Sequence, residues 1–418
     1  MQTATPLSSK LGLGSLLSIM AGVYTIQSII GMFTLQGLPA ILRSEGVSTS
    51  HIGLFYIAML PWALKFIWSP TVEEIRKRGA NFSHHGYLIL GAQLLIILLL
   101  LFFATKIALT QLWLLFSGIF LLALLSTFAD ITTDGLAVDQ LAPHQRHIGN
   151  VMQVGGGYLG AIFGGGVFIY LNGIFDWKTA LLLLIVLVGL MSLPSLKLFT
   201  SKVVVSAVKS KTRPSLRNAL VKHQVRQGLV VVFLCQFGTR SVLAMMMPFL
   251  YDQGIQLESL GLLVAGGSAL TGFIGVGLSA WLIKHSSAGK LLLGCLCLEL
   301  LLYIGFFFYA ATFLTQSQGL VVLFTLNAIV GSAKFVVLYT LMMDWSYGEQ
   351  AGVDFSLFQS MDMVVGILMA VICGWLISQF GYAVHYGLAI LASGFAIFKL
   401  RGLLLARPFN AVSETHLA

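Results

Sequence analysis

Long apolar runs alternate with short polar segments along the chain. A membrane-spanning helix needs about 20 predominantly apolar residues, and twelve runs are long enough. The predicted spans are 12–37, 52–70, 86–104, 112–140, 149–172, 179–197, 226–251, 259–283, 290–311, 318–345, 354–379 and 383–405. The pattern therefore predicts an all-α membrane protein with twelve transmembrane helices.

The composition supports this prediction. Asp, Glu, Lys and Arg make up 9% of the 418 residues, and hydrophobic residues make up 57%, whereas soluble domains carry about 25% charged residues. So little polar material cannot cover a water-facing surface. The first apolar run has only Lys10 as a basic residue before it and lacks a small-x-small cleavage site. We therefore expect a retained helix rather than a signal peptide.

Basic residues are unevenly distributed along the chain, which has a net charge of +9. With the N-terminus in the cytoplasm, the outside loops hold three of the 24 Lys and Arg residues, namely Arg43, Lys106 and Lys178, and three more lie within helices. The remaining 18 fall in cytoplasmic segments, as the positive-inside rule requires. The excess of positive charge predicts cytoplasmic termini and contact with anionic lipid rather than with nucleic acid.

A basic segment divides the chain into two halves. It carries eight Lys and Arg residues and no acidic residue between Lys197 and Arg226. We predict a six-helix bundle at 1–196, a cytoplasmic linker at 197–225, a second six-helix bundle at 226–408 and a cytoplasmic tail at 409–418.

The two halves resemble each other in sequence. LPAILRSEGVSTSHIGL at 38–54 matches MPFLYDQGIQLESLGL at 247–262. Further on, Asp139 and Gln145 have the same spacing as Asp344 and Gln350. Matches in the same order indicate a duplicated six-helix unit. Two such units in parallel repeat are typical of the major facilitator fold, in which the substrate cavity is expected between the halves near the middle of the membrane.

Charged side chains within the predicted helices are the candidate chemistry. Asp130 and Asp134 are four residues apart and share one face of the fourth helix, while Arg240 and Lys334 are deep cations of the second half. Unpaired buried charge is costly, so such groups pair, become neutral or face water. We expect Asp130 and Asp134 to couple proton movement to transport. We expect Arg240 and Lys334 to bind an anionic substrate or to exchange salt bridges with the acids. A static ion-pair network between helices is the alternative.

Other residues are assigned to gating or to substrate contact. Charged residues at cytoplasmic helix ends fit gate latches better than substrate contacts, and aromatic rings fit stacking on a ligand, with lipid anchoring as the alternative for each. The predicted gating residues are Lys65, Glu73, Arg76, Asp139, Arg146, Asp344 and Asp354. Further predicted substrate contacts are Tyr24, Gln27, Gln153, Tyr158, Gln236, Phe358 and Asp362. No motif predicts a metal or a cofactor.

Glycines recur in the fifth predicted helix. Gly156, Gly160 and Gly164 lie four residues apart within GGGYLGAIFGGG, which predicts the close approach of a second helix. A phosphate-binding loop is not expected, because no strand precedes the glycines and no lysine follows them.

Two blocks of the sequence resemble one branch of the major facilitators. LPWALKFIWSPTVEEI at 60–75 and ADITTDGLAVDQLAPHQRHIGNVMQVGGGYLGAIFGGG at 129–166 are similar to the patterns L-P-x-x-L-K-F-x-W-[SA]-P, D-I-x-x-D-x-L-A-V and G-N-x-x-Q-x-G-G-x-x-G. That branch contains muropeptide permeases of the AmpG type, acetyl-CoA transporters and siderophore permeases of the RhtX/FptX type. Within it, DGLAVD and QVGGGYLGAIFGGG look closest to the siderophore permeases.

The resemblance implies that a monomer in the inner membrane imports a ferric siderophore, an anionic iron chelate, at the expense of a proton gradient. A muropeptide permease is the alternative within transport. An intramembrane enzyme is not expected, because the downstream G-x-x-x-D-x-x-x-D, the G-x-G-D and the H-E-x-x-H motifs are missing from the sequence. Composition and spacing alone predict only a secondary transporter.

Overall fold

The structure is a computed structural model that describes residues 11–76, 83–105, 110–141, 146–200, 216–283, 285–346 and 351–405. Eleven helices in these residues are long and apolar enough to cross a membrane. They are α1 Leu13–Ser44, α2 Thr49–Ile67, α3 His84–Phe103, α4 Leu112–Ala137, α5 Val151–Ile174, α6 Trp177–Phe199, α7 His223–Asp252, α8 Leu257–Ile283, α9 Ala288–Ala310, α10 Ser317–Trp345 and the segment Asp354–Leu405. The helix that contains α4 continues to Gln140, and the one that contains α5 begins at Arg146.

The last of these segments is two helices. It has 52 residues, which would span roughly 80 Å as one straight helix, more than twice the thickness of the hydrocarbon layer. Gly381 has φ 79° and ψ 174°, a conformation outside the helical region. We therefore divide the segment into α11 at 354–380 and α12 at 382–405. With this division, the predicted all-helical fold with twelve spans is confirmed.

The chain separates into two compact units, 1–38 with 58–211 and 39–57 with 212–418. The first division follows a π-helical turn at Phe33–Gly37, and the second falls within a 3₁₀ turn at Tyr56–Met59. Pro61 contributes to the second turn, because proline lacks the N–H group that an α-helix needs there. Residues 39–57, which the hydrophobic pattern assigns to the first bundle, pack within the second unit. Residues 201–215 of the predicted linker and the predicted tail lie outside the described residues.

Glycines bring α5 against α1 within the first unit. A Cβ atom on Gly156 would come within 2.9 Å of the α1 backbone, one on Gly160 within 2.3 Å of Ser28, and one on Gly164 within 2.2 Å of the Ile29 carbonyl oxygen. Only a residue without a side chain allows such contacts. The close approach predicted from the four-residue spacing is therefore confirmed.

The second unit contains both copies of the repeated loop sequence, and both have the same helix cap. Gly46 and Gly254 have φ values of 80° and 87°. The amide of the next residue donates to the carbonyl five residues earlier, at 2.9 Å after Gly46 and 3.2 Å after Gly254. This pattern is the Schellman motif, in which glycine supplies the left-handed residue. The repeat seen in the sequence thus corresponds to a repeated backbone structure.

The first half of α2 packs tightly on α11. Thr49 Oγ1 donates to the Gly374 carbonyl oxygen at 2.9 Å, and a Cβ atom on Gly53 would lie 2.3 Å from the Ala370 carbonyl oxygen. These contacts attach residues 39–57 to the second unit.

Candidate functional site

Asp130 on α4 forms an ion pair with Lys65 near the end of α2. The distance from Lys65 Nζ to Asp130 Oδ2 is 2.7 Å. Asp130 is 1% exposed, whereas the Lys65 side chain is 42% exposed. A buried carboxylate without a partner is costly, and Lys65 supplies that partner. The predicted gating role of Lys65 did not include this contact.

Two tryptophans, one in the second half of α2 and one directly after its last residue, hold this part of the chain against α4. Trp62 Nε1 donates to the Ala123 carbonyl oxygen at 3.1 Å, and Trp68 Nε1 donates to Thr127 Oγ1 at 2.9 Å. They flank Lys65 in sequence. They therefore fix the position from which the lysine reaches Asp130.

Asp134 lies one helical turn beyond Asp130 and is paired with a different helix. The Tyr24 hydroxyl on α1 donates to Asp134 Oδ1 at 2.7 Å. The two carboxylates of α4 thus have different partners: a cation from α2 and a neutral hydroxyl from α1. Tyr24, predicted as a substrate contact, directs its hydroxyl to this carboxylate.

A third carboxylate near the end of the same helix meets a buried guanidinium. Arg76 Nη1 lies 2.6 Å from Asp139 Oδ2, and the same nitrogen lies 3.3 Å from His85 Nε2. A Cβ atom on Gly135 would come within 2.4 Å of Arg76 Cζ, so this glycine makes room for the arginine. The structure brings together two of the predicted gating residues, while the side chains of Glu73 and Arg146 are outside its described part.

Arg240 and Asp362 form a paired site in the second unit. Arg240 Nε lies 2.7 Å from Asp362 Oδ1 and Nη2 lies 2.5 Å from Oδ2, while Gln236 Nε2 donates to Oδ1 at 2.7 Å. The Arg240 side chain is 31% exposed. Three predicted substrate contacts therefore meet at one place, where two parallel hydrogen bonds orient the guanidinium.

Lys334 is buried in a separate cluster of the same unit. Its Nζ atom lies 2.7 Å from Glu299 Oε2, and both side chains are nearly inaccessible. Thr239 contacts both charged groups. The sequence predicted Lys334 as a substrate ligand and gave Glu299 no role. In the structure each neutralises the other, because neither charge is stable in the core alone.

The other predicted residues occupy varied environments. Asp354 is buried and lies 2.5 Å from Lys222 Nζ. Phe358 is buried in the core beside Trp345. Asp344 and Tyr158 are half-buried, Gln153 is exposed, and Gln27 borders a small cavity in the first unit.

One further charged cluster lies outside the predicted site residues. Arg43 Nε lies 2.7 Å from Asp252 Oδ1, and the Tyr382 hydroxyl donates to Asp252 Oδ2 at 2.8 Å. Arg43 and Asp252 shortly precede the two repeated glycine caps. Their position beside the repeated motif is a signal in the sequence that could have identified this pair.

The family follows from comparison with known proteins. The family model of the Major Facilitator Superfamily matches residues 16–314, and the chain belongs to this superfamily. It is therefore a multi-pass membrane transporter of the secondary type.

Individual relatives are distant. An uncharacterized protein of Haemophilus influenzae is 24% identical over 373 residues, covering 84% of this chain and 85% of the relative. The anhydromuropeptide permease of Escherichia coli K12 is 23% identical over 385 residues, covering 86% of this chain and 75% of the permease. A crystal structure of the peptide transporter POT, a mutant form, has a TM-score of 0.71 at 12% identity and covers 97% of each chain. The last likeness is one of fold alone.

Proposed function

We propose that the protein imports an anionic small molecule across the inner membrane by proton-driven alternating access. The observation that carries the proposal is the pairing of a buried carboxylate, Asp130, with a partly exposed lysine, Lys65. Static ion pairs that only tie helices together do not need one partner open to solvent. When one partner is exposed and the other is buried, the carboxylate is able to alternate between pairing with the lysine and binding a proton.

The coupling step is a protonation. When Asp130 takes up a proton, its carboxylate becomes a neutral acid and its attraction to the Lys65 ammonium is lost. Burial favours the neutral form of a carboxyl group, so the acid is stable once the lysine moves away. Loss of the proton on the cytoplasmic side restores the carboxylate, and the ion pair re-forms. Asp134, hydrogen-bonded to Tyr24, is the second carboxylate assigned to coupling.

Arg240 is the proposed anion-binding residue. Its partial exposure and its fixed orientation on Asp362 suit it to share its guanidinium with a substrate carboxylate or similar group. Lys334, by contrast, is enclosed with Glu299. We therefore assign the substrate contact to Arg240 and a structural role to Lys334.

For the substrate, we propose a ferric siderophore first. The support is the resemblance of DGLAVD and QVGGGYLGAIFGGG to siderophore permeases. An anhydromuropeptide is the second candidate, favoured by the relative in Escherichia coli. Both termini are placed in the cytoplasm by the positive-inside bias, which sets the Arg76–Asp139 pair at the cytoplasmic side as a gate.

The test is whole-cell uptake in a strain that lacks the gene. Cells that carry the wild-type protein are given a labelled ferric siderophore or a labelled anhydromuropeptide, with and without a protonophore. We expect accumulation of the siderophore that the protonophore abolishes, and loss of accumulation in Asp130→Asn. Asp176→Asn is the matched control, because Asp176 caps α6 at its surface end and Asn caps equally well. Accumulation of the muropeptide alone contradicts the substrate, and uptake indifferent to both the protonophore and Asp130→Asn contradicts the mechanism.

A further inference from the structure

A small cavity in the first unit is bordered by polar groups, two of which have no side-chain hydrogen-bond partner among the described residues. It lies among α1, α3 and α4, and Gln27, Gln93 and Ser126 border it together with apolar side chains. Gln93 is 1% exposed. Neither its Nε2 nor its Oε1 has a hydrogen-bond partner among the described residues, and the same holds for Ser126 Oγ. A buried amide left unsatisfied in this way is unusual, since most buried polar groups are paired.

The volume of the cavity limits which ligand fits in it. Its volume is about 10 Å³, room for about one water molecule. The unpaired atoms include a donor, Gln93 Nε2, an acceptor, Gln93 Oε1, and the Ser126 hydroxyl, which is both. Water matches this set because it donates and accepts. A metal cation does not, since no carboxylate lines the cavity and the amide nitrogen is not a ligand for hard cations.

We propose that this cavity binds a single structural water molecule, held by Gln93 of α3 and Ser126 of α4. The water satisfies the amide and the hydroxyl and joins the two helices where no direct side-chain bond does so. Ser126 precedes Asp130 by four residues, about 6 Å along the helix, so the water supports the part of α4 that carries the coupling carboxylate. The proposal is independent of which substrate is transported.

Thermal unfolding of the purified full-length protein in detergent distinguishes a bound water from a dry cavity. With a bound water, Gln93→Met and Ser126→Ala each remove one of its partners and lower Tm by about 2–4 °C. The double variant removes both proposed partners of the water together and returns Tm close to that of the wild type. Ser117→Ala is the control, because that exposed serine of α4 donates to the Trp113 carbonyl oxygen of its own helix.

If the cavity is dry, each single substitution is expected to raise Tm, because it removes an unpaired buried polar group. A rise in Tm in either single variant, or losses that simply add in the double variant, would overturn the proposal. A cryo-electron microscopy map that resolves ordered water gives an independent readout on the wild type. We expect density between Gln93 and Ser126, and its absence from such a map would also overturn the proposal, whether or not the variants fold.

Discussion

Lys65 and Asp130 form an ion pair in which one partner is 42% exposed and the other is enclosed, at an Nζ to Oδ2 distance of 2.7 Å. The lysine reaches the carboxylate from a 3₁₀ turn, Lys65–Ile67, between two tryptophans that anchor α2 to α4. The pair therefore joins a rigid support to a group that is able to change its charge. The unequal exposure of its two partners distinguishes it from the Lys334–Glu299 pair. We therefore expect substitutions in the first pair to affect transport and substitutions in the second to affect stability.

The substitution Lys65→Gln is expected to uncouple transport. Without the ammonium group, Asp130 has no cation to exchange for a proton, so a proton gradient no longer drives accumulation. We expect accumulation of substrate in proteoliposomes to fall to the level of passive equilibration, while exchange of labelled for unlabelled substrate continues. The control is Lys178→Gln at the exposed start of α6, which should behave as the wild type. Full accumulation by the Lys65 variant would mean that the pair is structural.

The Lys334–Glu299 pair is expected to matter for stability. Lys334→Met leaves the Glu299 carboxylate buried without a cation, which costs about 3–5 kcal/mol in the free energy of unfolding. The double variant Lys334→Met with Glu299→Leu should recover most of this loss, because an apolar pair of similar volume is well tolerated in a core. Chemical unfolding in detergent measures both effects. A double variant that folds normally but has a raised KM for uptake would indicate that Lys334 contacts the substrate.

Arg240→Lys tests the proposed anion contact. Lysine keeps the charge but loses the planar pair of donors that bonds Asp362, and it cannot hold a second anion in fixed geometry. We expect KM for uptake to rise about tenfold, equivalent to about 1.4 kcal/mol of binding, with an unchanged amount of folded protein. Arg226→Lys on the exposed start of the same helix is the matched control. An unchanged KM in the Arg240 variant would exclude it from substrate binding.

The positions of charged residues were predictable from the sequence, but their partners were not. The length of an apolar run predicted a span at 112–140, and the helix runs Leu112–Gln140, because a run of apolar residues has one favourable conformation in a membrane. Glu299 was recognisable as a charge within an apolar run. Its pairing with Lys334 depends on how α9 and α10 are rotated about their axes. The sequence does not specify this rotation, because neither helix has a regular pattern of polar residues along one face.

The contact made by Lys65 and the cavity beside Gln93 also depend on tertiary packing that the sequence does not specify. Lys65 was assigned to a gate because it is a charged residue near the cytoplasmic end of the second predicted helix. The 3₁₀ turn that directs it to Asp130 has no clear sequence signal. The cavity beside Gln93 could not be predicted either, because an unfilled volume arises from the packing of three helices together.

The glycines of α5 provide a test of helix packing with an internal control. A Cβ atom on Gly160 would lie 2.3 Å from Ser28, so Gly160→Ala forces α5 away from α1 and should cost about 1–3 kcal/mol. Gly157 has no atom within 4 Å of its Cβ position, and Gly157→Ala should be neutral or should stabilise the helix by about 0.4–1 kcal/mol. Tm measured in detergent for the two variants checks this. Equal losses in both would show that glycine serves helix flexibility rather than contact.

The repeated caps at Gly46 and Gly254 predict equal sensitivity at two distant positions of the chain. Each glycine has a positive φ, which disfavours a residue with a Cβ atom by about 1–2 kcal/mol. Gly46→Ala and Gly254→Ala should therefore lower the free energy of unfolding, measured by chemical unfolding in detergent, by similar amounts. Asn substitutions should cost less, because Asn adopts the left-handed conformation more readily. A Cβ atom added at either cap would have no atom within 4 Å, so steric contact cannot account for a loss. Gly266→Ala, which lies inside α8 with equally open surroundings, controls for the added methyl group, and a loss there as large as at the caps would refute the argument from φ.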